Sequence, residues 1–183
     1  MFAVREQRTA YNGYMRVLKP QDVVLLVKLH TSARTDWNFR QLSLESRMAL
    51  ATIHESLAGA AAARLYDPES KLPIKRNLLE FLICGVKYCF PAERGPMTRG
   101  IPTSYAASPL VSHFPPGNDP IPVWPYPAGT ARGIELAPIH QAVPYIAMAD
   151  PRFGEIMTLV DAVREGRPRE VSLAVKELKK RFA

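Results

Sequence analysis

Histidine and cysteine are the side chains of this sequence best suited to ligate a metal ion, and both are sparse. The four histidines are His30, His54, His113 and His140. None has a second ligand at the three- or four-residue offset that places two ligands on one helix face. Cys84 and Cys89 are five residues apart, outside the two-residue spacing of zinc knuckles and redox pairs. The sequence therefore predicts no metal site.

The patterns that carry enzyme chemistry are also missing. The segment Gly95–Gly100 lacks the Gly-Lys-Ser/Thr that ends a phosphate-binding loop, and no strand is predicted before it. There is no Gly-x-Ser-x-Gly, no metal-binding carboxylate set and no catalytic triad. We therefore expect neither an enzyme nor a cofactor. We interpret Cys84 and Cys89 as buried apolar residues of a helix, with a thiol sensor as the alternative.

Basic side chains remain as candidates, and their chemistry is the binding of phosphate groups. Lys and Arg number 24 against 17 Asp and Glu, for a net charge of +7. The excess is +4 in residues 1–66 and +3 in residues 151–183, whereas residues 101–150 carry a net −2. This distribution favours a polyanion such as nucleic acid as partner.

The composition is typical of a globular cytoplasmic protein. Hydrophobic residues make up 47% of the sequence, which is enough for a packed core. Residues 1–8 have no apolar run of signal-peptide length, and no stretch reaches the roughly 18 apolar residues of a membrane span. The two cysteines form no disulfide pattern, so we expect a cytoplasmic protein without a membrane contact.

Proline divides the chain into three parts. Of the 17 prolines, 13 lie between Pro91 and Pro151. This density interrupts any ordinary helix because each ring removes a backbone donor. We therefore expect a mainly α protein with a helical domain over residues 1–90, a Pro-rich irregular extension over 91–150 and a helical hairpin over 151–183.

Helical periodicity predicts four helices and one hairpin in the N-terminal part. Asp36 is the predicted N-cap of the second helix. In chain order the elements are a helix from Lys19-Pro20 to His30, a helix from Trp37 to Leu44, a turn at 46–48, a helix from Ala49 to Arg64, short strands at 64–66 and 72–74, and a helix from Asn77 to Cys89. This order is that of a winged helix-turn-helix.

The segment Trp37–Leu65 resembles the helix-turn-helix of MarR-like winged-helix transcriptional regulators. In that motif a small core joins an aromatic or Leu residue of the first helix, a hydrophobic residue after the turn, and Val/Ile then Leu of the recognition helix. The residues in those places are Phe39, Leu42, Met48, Ile53 and Leu57. The segments 77–92 and 98–103 further resemble a group of uncharacterised bacterial winged-helix proteins. The resemblance implies a bacterial DNA-binding fold over about residues 15–90.

The third predicted helix would then read DNA, although its sequence departs from the motif. Arg47 stands where the turn usually has Gly, at a cost of about 1 kcal/mol, and Ala49 replaces the usual Ser or Thr cap, at a similar cost of about 1 kcal/mol. The reading face would present Leu50, Ala51, Thr52, His54, Glu55 and Ala58. It has no Arg, Asn or Gln for bidentate contacts to guanine or adenine. Glu55 could still accept a hydrogen bond from the amino group of cytosine. Thr52 or an alanine could contact a thymine methyl group.

Phosphate contacts have more candidates than base contacts. They are Arg34, Arg40 and Arg47 beside the motif, and Lys71, Lys75 and Arg76 in and behind the predicted wing. The alternative is that each is an ordinary solvated side chain. A packing module that retains the helix-turn-helix without reading DNA is the corresponding alternative for the whole motif.

The Pro-rich middle has enough aromatic and aliphatic residues to pack on the helices. Val123-Trp124 and Ile134–Leu136 are predicted as short strands, joined by turns at Gly129 and Gly133, with little other regular structure. We interpret the segment as a wrap that buries the back of the winged helix. The alternative is a docking surface for a partner protein or a polyproline-type ligand.

The C-terminal part returns to helix. Asp150-Pro151 predicts a cap followed by proline in the first turn, and Gly166–Pro168 ends this helix. A second helix is expected from Arg169 to Phe182. Regulators of the family that the chain resembles are commonly dimers, so we expect a homodimer held partly by this hairpin. The alternative is that the hairpin packs on its own chain.

Two functions are consistent with these patterns. The first is a transcriptional regulator, a repressor that binds a short operator in double-stranded DNA as a dimer, which the basic wing and the net charge favour. The second is a protein-interaction module, such as an antitoxin or assembly factor, whose winged helix reads little sequence, which the sparse reading face favours. Two recognition helices about 34 Å apart on one positive face of a dimer would favour the first.

Overall fold

The fold is mainly helical with a small sheet, as the sequence predicts. The computed structural model describes residues 17–32, 34–115, 117 and 119–183. The helices are α1 Pro20–Ser32, α2 Phe39–Ser46, α3 Leu50–Ala62, α4 Lys75–Glu80, α5 Val86–Cys89, α6 Val143–Ala149, α7 Pro151–Glu165 and α8 Pro168–Phe182. The strands are β1 Tyr66–Asp67, β2 Leu72–Pro73, β3 Arg94–Pro102, β4 Pro122–Pro125 and β5 Ala131–Leu136.

Helix α1 lies at the centre of the core. Every residue from Asp22 to Leu29 is buried, so this helix is covered on all sides rather than on one stripe. Helices α3 and α7 both pack against it. Its two buried charged groups have partners, since Asp22 Oδ2 accepts the backbone N–H of Lys19 at 2.8 Å and Lys28 Nζ donates to Asp150 at 2.8 Å.

The turn between α2 and α3 has a left-handed residue at the position where the motif usually has Gly. Arg47 has φ 55° and ψ 37°. The predicted cap of α2 is wrong, because Asn38 and not Asp36 accepts the backbone N–H of Gln41, at 2.8 Å. The helix begins two residues later than expected, which places Asn38 at the extended position before it. Asp36 pairs instead with Arg34 at 3.1 Å.

The small core of this segment is nearly the predicted one. Four of its five expected members are buried, namely Leu42, Met48, Ile53 and Leu57. Phe39 is the exception, with 36% of its surface exposed. It lies in the first turn of α2, where its ring stacks on His54 instead of entering the core, with ring centroids 3.9 Å apart. Strands β1 and β2 then form the expected antiparallel hairpin.

The helix predicted from Asn77 begins at Lys75 and contains a π-helical segment, Phe81–Gly85, between α4 and α5. Both cysteines are exposed, so their interpretation as buried apolar residues is wrong. The fully buried stripe has four-residue spacing and consists of Leu78, Leu82 and Val86. Cys84 lies midway between two members of that stripe, on the opposite side of the helix.

The Pro-rich segment has more regular structure than predicted. Strand β3, which the sequence pattern misses, pairs antiparallel with both β4 and β5, and β4 pairs parallel with β5, so the three strands close on themselves. A Cβ atom on Gly100 would overlap the Trp124 carbonyl, and one on Gly133 would overlap the Ile121 carbonyl. Gly133 lies inside β5 and not in the predicted turn. Closure of the sheet brings the strand backbones so close together at Gly100 and Gly133 that a side chain would not fit.

Helix α7 connects the sheet to the other helices. Asp150 caps it as predicted, accepting the backbone N–H of Phe153 at 3.1 Å. The apolar stripe of α8, which includes Leu178 and Phe182, is buried within the chain, and one hydrophobic cluster runs from Val23 to Phe182. No helix among the described residues combines the length and the apolar character needed to cross a bilayer.

Candidate nucleic-acid interface

Helix α3 presents the predicted face to solvent. Its inner stripe packs into the small core, which leaves the opposite side uncovered. Ala51, His54 and Glu55 are exposed and Thr52 is half-buried. Ala49, just before the helix, has extended backbone and makes no side-chain cap bond, as predicted. The residues expected to face base edges are therefore accessible, although they remain small or acidic.

Three rings connect α3 to the hairpin. Trp37 packs edge-to-face against Phe39 at a centroid distance of 5.4 Å, and Phe39 stacks on His54 at 3.9 Å with an interplanar angle of 17°. Trp37 Nε1–H also donates to the Lys71 carbonyl at 3.1 Å. We call Trp37, Phe39 and His54 the aromatic row. It connects the hairpin tip, the start of α2 and the outer face of α3 through the buried Trp37 and the exposed Phe39 and His54.

The hairpin tip has a defined backbone. Lys71 is left-handed, with φ 56°. Asp67 accepts the Ser70 hydroxyl at 2.6 Å and the Glu69 backbone N–H at 3.1 Å. The Ser70 hydrogen bond lowers the pKa of the Asp67 carboxyl. These bonds, together with the hydrogen bond from Trp37 Nε1 to the Lys71 carbonyl, position Lys71 on the hairpin.

The predicted phosphate-binding side chains are all at the surface. Arg34, Arg40, Arg47, Lys71, Lys75 and Arg76 are exposed. Two of them have partners, since Arg34 pairs with Asp36 and the Arg47 guanidinium lies 4.6 Å from the ring centre of Tyr145. The hydrogen bond between Arg34 and Asp36 lowers the pKa of that carboxyl. Such exposed contacts are weak, so they leave both guanidinium groups able to contact a phosphate.

The structure does not bring all of these cations together. Lys71 adjoins the aromatic row, whereas Lys75 lines a cleft with His30 and Arg152, to which no residue of α3 contributes. Arg47 lies at the other end of α2, beside α6. The wing cluster predicted from sequence is therefore divided between two surfaces.

Several features of this region escape sequence reasoning. Trp37 was expected only to begin α2, yet it links Lys71 to Phe39. Leu44 is 74% exposed and Leu50 is 47% exposed. Leu50 was expected on the reading face, whereas the apolar pattern alone gives no reason for Leu44 to lie outside the core. Tyr145, distant in sequence, had no signal that would pair it with Arg47.

Metal-ligating side chains do not converge in the described part of the chain. No three His, Cys, Asp or Glu residues there are placed to hold one ion. Two of the histidines stack on rings instead, His54 on Phe39 and His30 on Phe182. Comparisons of the chain with protein-family models, with curated proteins and with solved structures find no match.

Proposed function

We propose that this chain is a winged helix-turn-helix transcriptional regulator, a repressor that binds double-stranded DNA as a dimer. The observation that carries the proposal is the chain of contacts from the Lys71 carbonyl through the aromatic row to the outer face of α3, in which Trp37 is buried and Phe39 and His54 are exposed. In a winged helix the recognition helix enters the major groove while neighbouring elements contact the backbone. Helix α3 and the β1–β2 hairpin supply these two parts.

Direct base contacts are few in this proposal. Glu55 accepts a hydrogen bond from a cytosine amino group, and Ala51 or Thr52 contacts a thymine methyl group. His54 has its ring held against Phe39, so it reaches a base edge or a phosphate with little loss of side-chain entropy. With no bidentate pair on the reading face, sequence discrimination is modest.

Phosphate contacts supply most of the affinity. Arg34, Arg40 and Arg47 flank the helix-turn-helix, and Lys71 and Arg76 extend the positive surface along the hairpin and the start of α4. Each neutralised phosphate steepens the decrease of log K with log salt by about 0.9. Binding is therefore expected to weaken strongly as salt rises.

The test compares two double variants that remove equal charge. The full chain first selects duplexes from a random library, and fluorescence anisotropy then measures affinity over a range of salt concentrations. We expect Lys71→Ala/Arg76→Ala to weaken binding and to reduce the salt slope by about 1.8, the value for two lost phosphate contacts. Lys176→Ala/Lys179→Ala, on exposed positions of α8, serves as the control. Equal affinity and slope for both variants would contradict the proposal.

Base reading is tested separately with Glu55→Ala. This change is expected to relax the preference at one base pair, worth about 1–3 kcal/mol, while affinity for random duplex is retained. If all positions of the selected site keep their preference, Glu55 does not read DNA.

A protein-interaction module is the second candidate, favoured by Leu44 of α2 and Leu50 of α3, which are 74% and 47% exposed. Large apolar side chains left exposed are available for contact with a protein partner. In this case no duplex would bind at physiological salt, and Leu44→Ser/Leu50→Ser would abolish any complex that co-purifies with the full chain. The Lys71→Ala/Arg76→Ala variant would leave that complex intact.

The dimer is part of the first proposal. The apolar stripe of α8 is buried within the chain, so a dimer contact must use another surface than Leu178 and Phe182. Light scattering of the full chain is expected to give twice the mass of one chain. If the chain is a monomer in solution and stays monomeric on DNA, it does not bind a two-fold symmetric operator as a dimer, and this part of the proposal is wrong.

A further inference from the structure

A cleft of about 870 Å³ opens between the end of α1, the β1–β2 hairpin and helices α7 and α8. Its volume is within the range that small organic ligands occupy in proteins. Leu72, Pro73 and Ile74 form an apolar wall on the hairpin side, and Ile156 contributes from α7. The cleft therefore offers an apolar surface between elements from distant parts of the chain.

The acidic side chains of the cleft have hydrogen-bond partners of their own. Glu155 Oε2 accepts two hydrogen bonds from the Arg181 guanidinium, at 2.8 and 3.2 Å. Asp67 accepts the Ser70 hydroxyl within its own turn, at 2.6 Å. Neither carboxylate forms an ion pair with Lys75 or Arg152.

Among the described residues, two cations of the cleft have no counter-ion. Lys75, at the start of α4, and Arg152, at the start of α7, are both exposed and line the same space. Within the described ranges, neither has a carboxylate at ion-pair distance. They come from elements more than 70 residues apart in sequence, so only the tertiary structure brings their charges together.

His30 gives the cleft a rigid aromatic edge. Its ring stacks on Phe182 at a centroid distance of 3.9 Å, and its Nε2–H donates to the Arg181 carbonyl at 3.0 Å. Burial, with a contribution from Lys75, lowers the pKa of this imidazole. The neutral ring then keeps Nδ1 as a hydrogen-bond acceptor.

We propose that this cleft binds a small organic anion whose acidic group contacts Lys75 and Arg152 and whose apolar body lies against Leu72, Ile74 and Ile156. Charge-assisted contacts to two cations supply orientation, and burial of the apolar body supplies affinity. The site does not depend on DNA binding, since no residue of α3 lines it. Its ligand is a carboxylate, sulfonate or phosphate carried on an aromatic or aliphatic body.

Anilinonaphthalene sulfonate is a suitable probe because it joins a sulfonate to an aromatic body and fluoresces when bound. The folded full chain is expected to bind it saturably at one site without DNA. N-Phenylnaphthylamine has the same aromatic body without the sulfonate. It is therefore the matched probe for the contribution of the apolar body to binding. We expect Lys75→Ala/Arg152→Ala to weaken sulfonate binding on the order of tenfold or more and to leave N-phenylnaphthylamine binding unchanged.

The control variant is again Lys176→Ala/Lys179→Ala, which removes the same charge outside the cleft. Its sulfonate affinity is expected to equal that of the unmodified chain, and circular dichroism melting checks that all variants fold. Backbone amide shifts on probe addition are expected at Thr31, Ile74 and Arg152. Equal weakening by both variants, unchanged binding by Lys75→Ala/Arg152→Ala, or shifts confined to α3 would each overturn the proposal. If Lys75→Ala/Arg152→Ala fails to fold, the shift map alone decides.

Discussion

The segment of α2 and α3 and the sheet with α7 are held together in different ways. In the first, polar side chains bond to nearby backbone, as Asn38 does to Gln41 three residues away and Ser43 to Met48 five residues away. In the second, Asp161 bonds to residues 58 and 37 positions away in sequence. Local bonds leave the outer face of α3 exposed, whereas long-range bonds make the sheet region an anchor for the fold.

The anchor is a buried network around Asp161. Its carboxylate accepts from Thr103 Oγ1 at 2.9 Å, from Trp124 Nε1 at 2.5 Å and from Arg164 at 2.6 Å. Arg164 also donates to the carbonyls of Phe90 and Ala137. Burial raises the pKa of the Asp161 carboxyl, against the opposing effect of Arg164 and the two hydrogen bonds. The network therefore ties α5, the sheet and α7 together.

Removing the charge of Asp161 is expected to give the largest loss of stability. Asp161→Asn replaces one acceptor oxygen by an NH2 group, which faces the donors of Thr103, Trp124 and Arg164. It also leaves the buried Arg164 guanidinium without its carboxylate partner. We expect the free energy of unfolding to fall by about 3–5 kcal/mol, measured by urea denaturation. Arg94→Ala, which breaks the ion pair of the exposed Arg94 with Glu165, is the control and should cost at most about 1 kcal/mol. Similar losses in the two variants would mean that the network is no anchor.

The contact between α1 and the start of α7 should have an intermediate effect. Asp150 caps α7 and accepts from Lys28 Nζ at 2.8 Å and from Thr31 Oγ1 at 3.2 Å. Asp150→Ala removes a cap and a charge-assisted hydrogen bond, so we expect a loss of about 2–3 kcal/mol in urea denaturation. A loss no greater than that of an ordinary surface substitution would show that the contact is dispensable.

The same carboxyl gives a pH dependence with a definite sign. Burial by itself would raise the pKa of Asp150. The hydrogen bonds from Lys28 and the Phe153 N–H outweigh burial and lower this pKa below its ordinary value. A carboxyl whose pKa is lowered on folding stabilises the fold at every pH above its unfolded-state pKa of about 4. This stabilisation is lost as the pH falls through the folded-state pKa. The difference between the unmodified chain and Asp150→Ala should therefore narrow on going from neutral pH to about pH 3. A constant difference would indicate that the aspartate charge contributes nothing.

The smallest effects are expected at the N-caps of α2 and α3. Asn38→Ala should lower the free energy of unfolding by about 1 kcal/mol. Ala49→Ser should raise it by about 1 kcal/mol, because serine supplies the side-chain acceptor that the N-terminus of α3 lacks. Thermal melting of both variants measures the difference. Asp36→Ala is the control and should leave the melting temperature unchanged, since Asp36 does not cap α2. A loss for Asp36→Ala comparable to that for Asn38→Ala would restore the sequence-based assignment.

Local patterns predict the helical regions well for a physical reason. The period of apolar residues, the left-handed turn at Arg47 and the Asp150-Pro151 cap act over a few residues, so a single sequence contains all the information they need. The same reasoning placed Ala51, His54 and Glu55 on the outside of α3. It failed at Phe39, whose aromatic partner lies on another helix, and at Cys84, because a hydrophobic side chain does not by itself specify the side of a helix.

Tertiary structure alone decides what distant residues do together. Strand β3 contains glycines and prolines without alternation, so its two pairings follow only from closure of the sheet. The same holds for Asp161 with Trp124 and for Lys75 with Arg152, which depend on how α7 lies against the rest of the chain. The sequence by itself determined where the helices form and which charges are available, because both are local properties. The fold decided which charges are buried, which are paired and which share a cleft, because those depend on contacts between segments far apart in the chain.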